Sequence, residues 1–309
     1  MPKLSSTSTD EQARARMNRN QWDALSTRMR RQDALRQLSV LPYFKTFKTS
    51  KVSDFNTIKQ LLRNGWATET LLVQNFKSLT GDALKSSLVW AFPQAYYSVF
   101  SVTLAYYNLA GFTEGKTHSS LIKKFGDEAS LTHYPEIISF LACDGLERHR
   151  TFKNCQKVLQ PSTLHFDANN TDSVDTTIAN FLNATRKSDL QDRLLRQKMK
   201  TKSNKPKKRF SKEEYTAVSK NLGFTSILSL LYRKRIKSNY GNIDSLLSSE
   251  LDADKIFPCL IKVVDCIHAI HEAYICRAIG ESAYVKILDL TPMSIRELPN
   301  NRFCEIITI

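Results

Sequence analysis

Glycine and proline are scarce in this chain of 309 residues, nine of each, which argues against a turn-rich all-β fold. Long apolar runs are missing as well, and nothing approaches the ~20 residues that a membrane span needs. The first residues, Met1 to Asp10, are polar and lack the apolar stretch of a secretory signal. A cytoplasmic protein with no membrane contact is the expectation. Cysteine is sparse: Cys143, Cys155, Cys259, Cys266, Cys276 and Cys304 are scattered along the chain. Small disulfide scaffolds pack theirs densely, so reduced thiols in or near the core are expected here. Acid is short too, with 30 Asp and Glu against 45 Lys and Arg. There is no Gly-rich phosphate loop, no nucleophile elbow and no paired-carboxylate motif, so hydrolase chemistry and Gly-based nucleotide binding have no support and no cofactor is expected.

What is present is enough apolar residue, 41%, to build the core of one large or two modest domains. The net charge of +15 implies an anionic partner, either nucleic acid or an acidic protein.

Apolar spacing along the chain is mostly helical. Residues 11–38 carry seven arginines, with Trp22, Leu25, Met29, Leu35 and Leu38 at near-helical spacing. This predicts a basic amphipathic helix or helix pair, docked on the body, paired with a partner subunit or lying on RNA; docking needs the fewest assumptions. Residues 53–80 read as helix, with Ser53 as a candidate cap and Ile58, Leu61, Leu62 and Trp66 as its stripe. Residues 82–110 are the most hydrophobic segment. Pro93 predicts a kink or a boundary near Ala91. From Gln94 to Leu109 aromatics occupy more than one face, which suits the centre of a bundle or a dimer interface. Short helices are expected from Thr117 to Phe125, from Ile137 to Leu141 and from Thr176 to Leu182. A further helix is expected around Ile227–Leu231, and a long one from about Ala253 to Ala278. After Gly280, the β-branched runs Tyr284–Leu290 and Phe303–Ile309 read as a short hairpin-like tail.

Residues 196–212 hold nine Lys or Arg and no acid. Within them Lys198, Lys200, Lys202, Lys205, Lys207, Lys208 and Arg209 are candidate nucleic-acid contacts. Only one aromatic, Phe210, accompanies them, so backbone-charge contact that is sequence-blind and salt-sensitive is expected, not base stacking. Cys259, Cys266, His268, His271 and Cys276 crowd one helical stretch. Structural zinc usually pairs a short knuckle with two ligands elsewhere, a pattern absent here, so no metal is expected.

Two segments carry more specific content. Ala95-Tyr96-Tyr97-Ser98-Val99-Phe100 precedes Gly111 to Gly115, then Lys116-Thr117-His118-Ser119-Ser120-Leu121-Ile122 and Phe125-Gly126. Tyr232-Arg233-Lys234-Arg235-Ile236-Lys237-Ser238-Asn239-Tyr240-Gly241 follows much later. Together they resemble the HEPN family of helical-bundle proteins, many of them ribonucleases or toxins of bacterial defence systems. The match covers roughly residues 50–140 and 223–279. It looks like a branch with Arg and Tyr where nuclease members carry Arg-x4-6-His. The resemblance implies an all-α HEPN-like bundle with a long basic insertion. Its expected divisions are a basic helical arm over 1–50, the bundle over 51–143 and 223–279, the insertion over 144–222 and a tail over 280–309.

The resemblance also implies a component of an anti-phage or toxin–antitoxin system that contacts RNA. It would act as a homodimer, or as a hetero-oligomer with a defence-system partner such as a nucleotidyltransferase. Arg235, Arg233, Tyr240 and His118 are the candidate site. Nuclease members use the His as general base on a 2′-hydroxyl and the Arg on the developing phosphorane charge. Here no Arg is followed by His at that spacing, and tyrosine is a poor base at pH 7. Three readings stay open: a non-catalytic or atypical binding subunit, a metal-independent endoribonuclease, and a structural adaptor for an acidic protein. His118 is either a displaced base or phosphate ligand near Arg235, or a helix-start residue with a local hydrogen bond. The local reading needs less, because a catalytic His requires a positioned partner.

Overall fold

The computed structural model describes residues 5–49, 54–112, 117–143, 155–156, 166–197, 207, 209–219, 222–240 and 252–309, the side chains of 5–11, 14, 155–156, 212, 239 and 240 apart. Among them the fold is all-α: α1 (Ser5–Arg28), α2 (Arg31–Val40), α3 (Pro42–Thr46), α4 (Phe55–Ser78), α5 (Gly81–Leu109), α6 (His118–Ser130), α7 (Thr171–Arg196), α8 (Lys212–Ser219), α9 (Ile227–Tyr240), α10 (Ala253–Ile279), α11 (Glu281–Asp289) and α12 (Met293–Ile306). One parallel pair of two-residue strands, β1 (Leu141–Ala142) and β2 (Cys155–Gln156), is the exception. No helix of the described residues is long and apolar enough to cross a membrane.

The apolar helix α5 sits at the centre and packs on α4, α9 and α10. Its contact with α4 is close because Gly65 has no side chain: a Cβ there would lie 2.5 Å from Val102 Cγ2. Pro93 neither breaks nor bounds this helix, which runs unbroken through it. Proline has no N–H for the carbonyl four residues back, that of Val89. The Ser238 hydroxyl donates to the Val89 carbonyl instead. The defect in α5 is thus satisfied by α9, and it ties the two helices together.

A charged hub crosses the core. Arg302 of α12 is fully buried and donates to Glu69 of α4 at 2.8 and 2.9 Å and to Glu272 of α10 at 2.8 and 3.0 Å. Trp66 Nε1 and the Tyr284 hydroxyl also donate to Glu272, at 2.8 and 3.0 Å. His268 Nδ1 lies 3.0 Å from Glu69 Oε2. The Ser98 hydroxyl gives its proton to the Gly65 carbonyl at 2.7 Å, so its oxygen can only accept from His268 Nε2, 3.1 Å away. His268 Nε2 therefore donates to Ser98, while Nδ1 lies between Glu69 and the Arg302 guanidinium, the latter at 3.4 Å. Arg302 also reaches Asp265 at 3.1 Å, which Arg31 shares at 3.1 Å. Buried carboxylates survive only with such partners.

Several expectations need correction. The C-terminal tail is not a hairpin. Tyr284, Ile287 and Leu288 are buried at helical spacing in α11, and Arg302 and Ile306 are buried in α12; a period of three to four overrides β-propensity. The described part of the expected 1–50 arm is not separate, since Trp22, Leu25, Leu35 and Leu38 belong to the main core. Within 144–222 the helix expected over Thr176–Leu182 is longer: α7 runs 26 residues and buries Val174, Ile178, Phe181 and Leu182 in that same core. Ile137–Leu141 is turn leading into β1 and not helix, because α6 ends before Thr132, whose φ of 58° leaves the helical region. Asp54 caps α4, accepting from the Asn56 amide at 3.0 Å, and Ser53 lies outside the described residues. Cys259, Cys266, Cys276 and Cys304 are free thiols as expected, whereas Cys143 is disulfide-bonded. Finally, Tyr96, Tyr106 and Tyr107 are fully buried within the chain. Of the other aromatics between Gln94 and Leu109, Phe100 is half-buried and Tyr97 is exposed.

Candidate functional site

The helix α9 buries Ile227, Leu228, Leu230 and Leu231, and its next turn carries three cations in a row. They diverge to three surfaces. Arg233 pairs with Asp189 and Asp192 of α7, the first at 3.3 Å. Burial raises the Asp189 carboxyl, and Arg233 opposes that shift. Lys234 donates to Asn18 Oδ1 of α1 at 2.6 Å and lies 5.1 Å above the Phe181 ring. Burial, with Lys237 nearby, brings the Lys234 amine down to about 7. Arg235 turns to α5, its guanidinium 5.1 Å over the Tyr97 ring and 5.8 Å over Tyr232, with a hydrogen bond to the Tyr97 hydroxyl. Consecutive helical positions are about 100° apart, so one turn cannot aim all three at one ligand. Arg233 and Arg235 are therefore not a joint cluster.

His118 comes to Arg235 from another element. Thr117 caps α6 through a reciprocal pair: the Ser120 amide donates to the Thr117 hydroxyl at 3.2 Å, and the Thr117 amide donates to the Ser120 hydroxyl at 3.1 Å. This box fixes His118 at the first helical position. The imidazole then sits 4.7 Å from the Phe100 ring, 5.5 Å from Tyr96 and 5.7 Å from Tyr232. Tyr232 thus borders both His118 and Arg235. The local reading of His118 is incomplete, because its bond is to Tyr96, 22 positions away, at 2.8 Å.

That bond assigns the tautomer. Burial pushes the Tyr96 phenol far above its ordinary range, so it stays protonated. His118 Nδ1 is its one acceptor among the described residues. Burial first, then the Arg235 charge, lowers the His118 pKa below 6.5. The ring is neutral at pH 7, with Nδ1 accepting and Nε2 carrying the hydrogen. His118 thus offers a donor beside a guanidinium, framed by four aromatic rings.

The remaining candidates are dispersed. The Tyr240 backbone ends α9, and its side chain lies outside the described residues. So do Lys198, Lys200, Lys202, Lys205 and Lys208. Lys207 is committed inside the chain, donating to Glu214 at 2.6 and 2.8 Å, and Arg209 is exposed. His268 belongs to the charged hub. His271 bonds the Tyr134 hydroxyl at 3.1 Å and Thr103 at 3.3 Å, and its pKa falls to about 3, by burial first and then His268. No group of side chains suited to a metal occurs among the described residues.

Sequence reasoning missed Tyr96, Tyr97, Phe100 and Tyr232 as the frame of the site. The available signal is the run of aromatics in α5, which on spacing alone fits core or interface equally well. Comparison of the chain with protein-family models, with curated proteins and with solved structures finds no match.

Proposed function

We propose that this chain contacts nucleic acid, with Arg235 as the phosphate-facing group and His118 beside it as a hydrogen-bond donor. The observation that carries the reading is the fate of the neighbouring cations. Arg233 is tied to two aspartates and Lys234 to α1, whereas Arg235 pairs with no carboxylate among the described residues. A guanidinium matches two phosphate oxygens at once, and the +15 charge of the chain draws a polyanion towards it.

Binding is favoured over cleavage. A metal-independent ribonuclease needs an acceptor for the 2′-hydroxyl proton. His118 Nε2 already carries a hydrogen, and Tyr96 holds its own proton. The resemblance of residues 95–126 and 232–241 to the HEPN family extends the proposal. On it, the chain is a non-catalytic or atypical HEPN-type subunit of a bacterial defence system, acting beside a partner such as a nucleotidyltransferase.

The test is fluorescence anisotropy with labelled single-stranded RNA over a range of salt, without added metal, with RNA integrity followed on gels. Arg235→Ala should weaken binding about tenfold or more and reduce the salt slope by about one, while far-UV circular dichroism is unchanged. Arg235→Lys should restore part of the affinity, since an ammonium lacks the planar fork. Equal binding by wild type and Arg235→Ala would refute the assignment. Metal-free cleavage that is lost in His118→Ala would replace the binding reading with the nuclease one.

A further inference from the structure

We infer that the outward face of α5 is a base-stacking platform for single-stranded nucleic acid, with Trp90 and Tyr97 each carrying a base. The inference rests on the phosphate-contact reading of Arg235. The chain has three tryptophans. Trp22 and Trp66 are 1% and 0% exposed, as expected for so large an apolar ring, but Trp90 is 63% exposed. An exposed indole loses the burial that usually stabilises it, so its position asks for an occupant.

Trp90 and Tyr97 are seven residues apart on one continuous helix, hence on one face and about 10 Å apart along the axis. Tyr97 is 36% exposed. At about 3.4 Å per stacked base, that gap is too wide for the two rings to clasp one base, so each takes its own. The surroundings are polar and cationic. Arg235 covers part of the Tyr97 ring at 5.1 Å. Gln94, on the same face between the two rings, is only half-buried and accepts from Asn75 at 3.3 Å. The end of α9 lies alongside Trp90 through the Ser238 bond to Val89.

Aromatic rings in line with an arginine are the arrangement that binds single strands: charge tracks the backbone, and each ring accepts any base by its π-face. A duplex keeps its bases stacked on one another and offers these rings nothing. A second copy of this chain would bring another net +15 and set its own Arg235 near the first, whereas a polynucleotide neutralises that charge.

The test uses the intrinsic fluorescence of the intact protein, since Trp90 is the exposed emitter. A short oligouridylate should quench the emission and shield it from iodide. An abasic strand of equal length and charge should bind more weakly and leave the emission unchanged, as should a duplex. Trp90→Ala should lose the signal and roughly five- to a hundredfold in affinity, with its salt slope unaltered because no phosphate contact is removed. Anisotropy that reports binding while Trp90 emission and Trp90→Ala affinity stay unchanged would overturn the platform and leave the Arg235 reading standing. No binding of any strand would remove the Arg235 reading, and the platform with it. Shielding of Trp90 that grows with protein concentration and needs no oligonucleotide would also overturn the inference, by making this face an interface between copies.

Discussion

Replacing Arg302 tests whether the charged hub holds the helices together. Arg302→Met keeps most of the volume and the apolar stem but removes the guanidinium. Glu69 and Glu272 then remain buried without their guanidinium, with the His268 ring still 3.0 Å from Glu69 and 3.7 Å from Glu272. Leaving a buried charge without its partner costs about 3–5 kcal/mol. The proton balance leads to a similar size. Burial is the largest influence on Glu69 and raises its pKa, yet Arg302 and His268 outweigh it and hold the carboxyl at about 2, against an ordinary 4.5. That depression corresponds to about 3 kcal/mol of stability at neutral pH, present above pH 4.5 and lost as pH falls towards 2. Without Arg302, the burial contribution is less opposed and the Glu69 pKa moves up. The deficit of the variant should therefore shrink between pH 7 and pH 4, as its carboxyl takes up a proton in the folded state. Urea denaturation followed by circular dichroism, with the m-value checked for constancy, gives the difference at each pH. Glu69→Gln in the Arg302→Met background should recover part of the loss. A deficit under about 1 kcal/mol at pH 7, or one that grows on acidification, would refute the account.

Two further outcomes follow from buried polar groups. His271 titrates in the unfolded chain near 6.5 but near 3 when folded. The unfolded state therefore binds the extra proton between these values, and stability should fall with acid by about 1.4 kcal/mol per pH unit, to a total near 5 kcal/mol. His271→Gln should flatten that slope by one proton; an unchanged slope would show that His271 is not the group. Ser238→Ala should cost about 1–3 kcal/mol, because it orphans the Val89 carbonyl. The loss should be smaller in Pro93→Ala, where residue 93 regains an N–H for that carbonyl. Equal losses in both backgrounds, read from thermal unfolding, would break the proposed link between α5 and α9.

Much of the helical frame was legible in the sequence because its signals are local. The stripes of α4 and α10 and the start of α6 are set by spacing and caps within a few residues. The failures came where a distant residue decides the outcome. Pro93 reads as a helix breaker until Ser238, far along the chain, is seen to take the free carbonyl. The β-branched run at Tyr284–Leu290 reads as strand until Tyr284, Ile287 and Leu288 are seen against one core. The aromatics of α5 read alike as bundle centre or interface, because periodicity counts apolar faces and cannot separate the buried Tyr96, Tyr106 and Tyr107 from the exposed Tyr97. At the site, Arg235 and His118 each stand out in their own segments, but nothing local announces that Tyr96 and Tyr232 bring them together. Arg233 looked like the partner of Arg235 by adjacency, and helical rotation sends it elsewhere.

The position of Arg302 along the chain has a consequence for how the protein is made. Glu69 and its cation are 233 positions apart. During synthesis α4 and α5 leave the ribosome long before Arg302 is polymerised, and domains build from the N-terminal side. Until then Glu69 lacks its guanidinium, and docking α4 onto α5 and α10 would bury it with only the His268 ring beside it. The early helices must therefore wait in a looser, hydrated association that closes only when α12 arrives. A ribosome stalled short of α12 should hold a chain that proteases cut readily in α4, and release of a few more residues should make the same segment resistant.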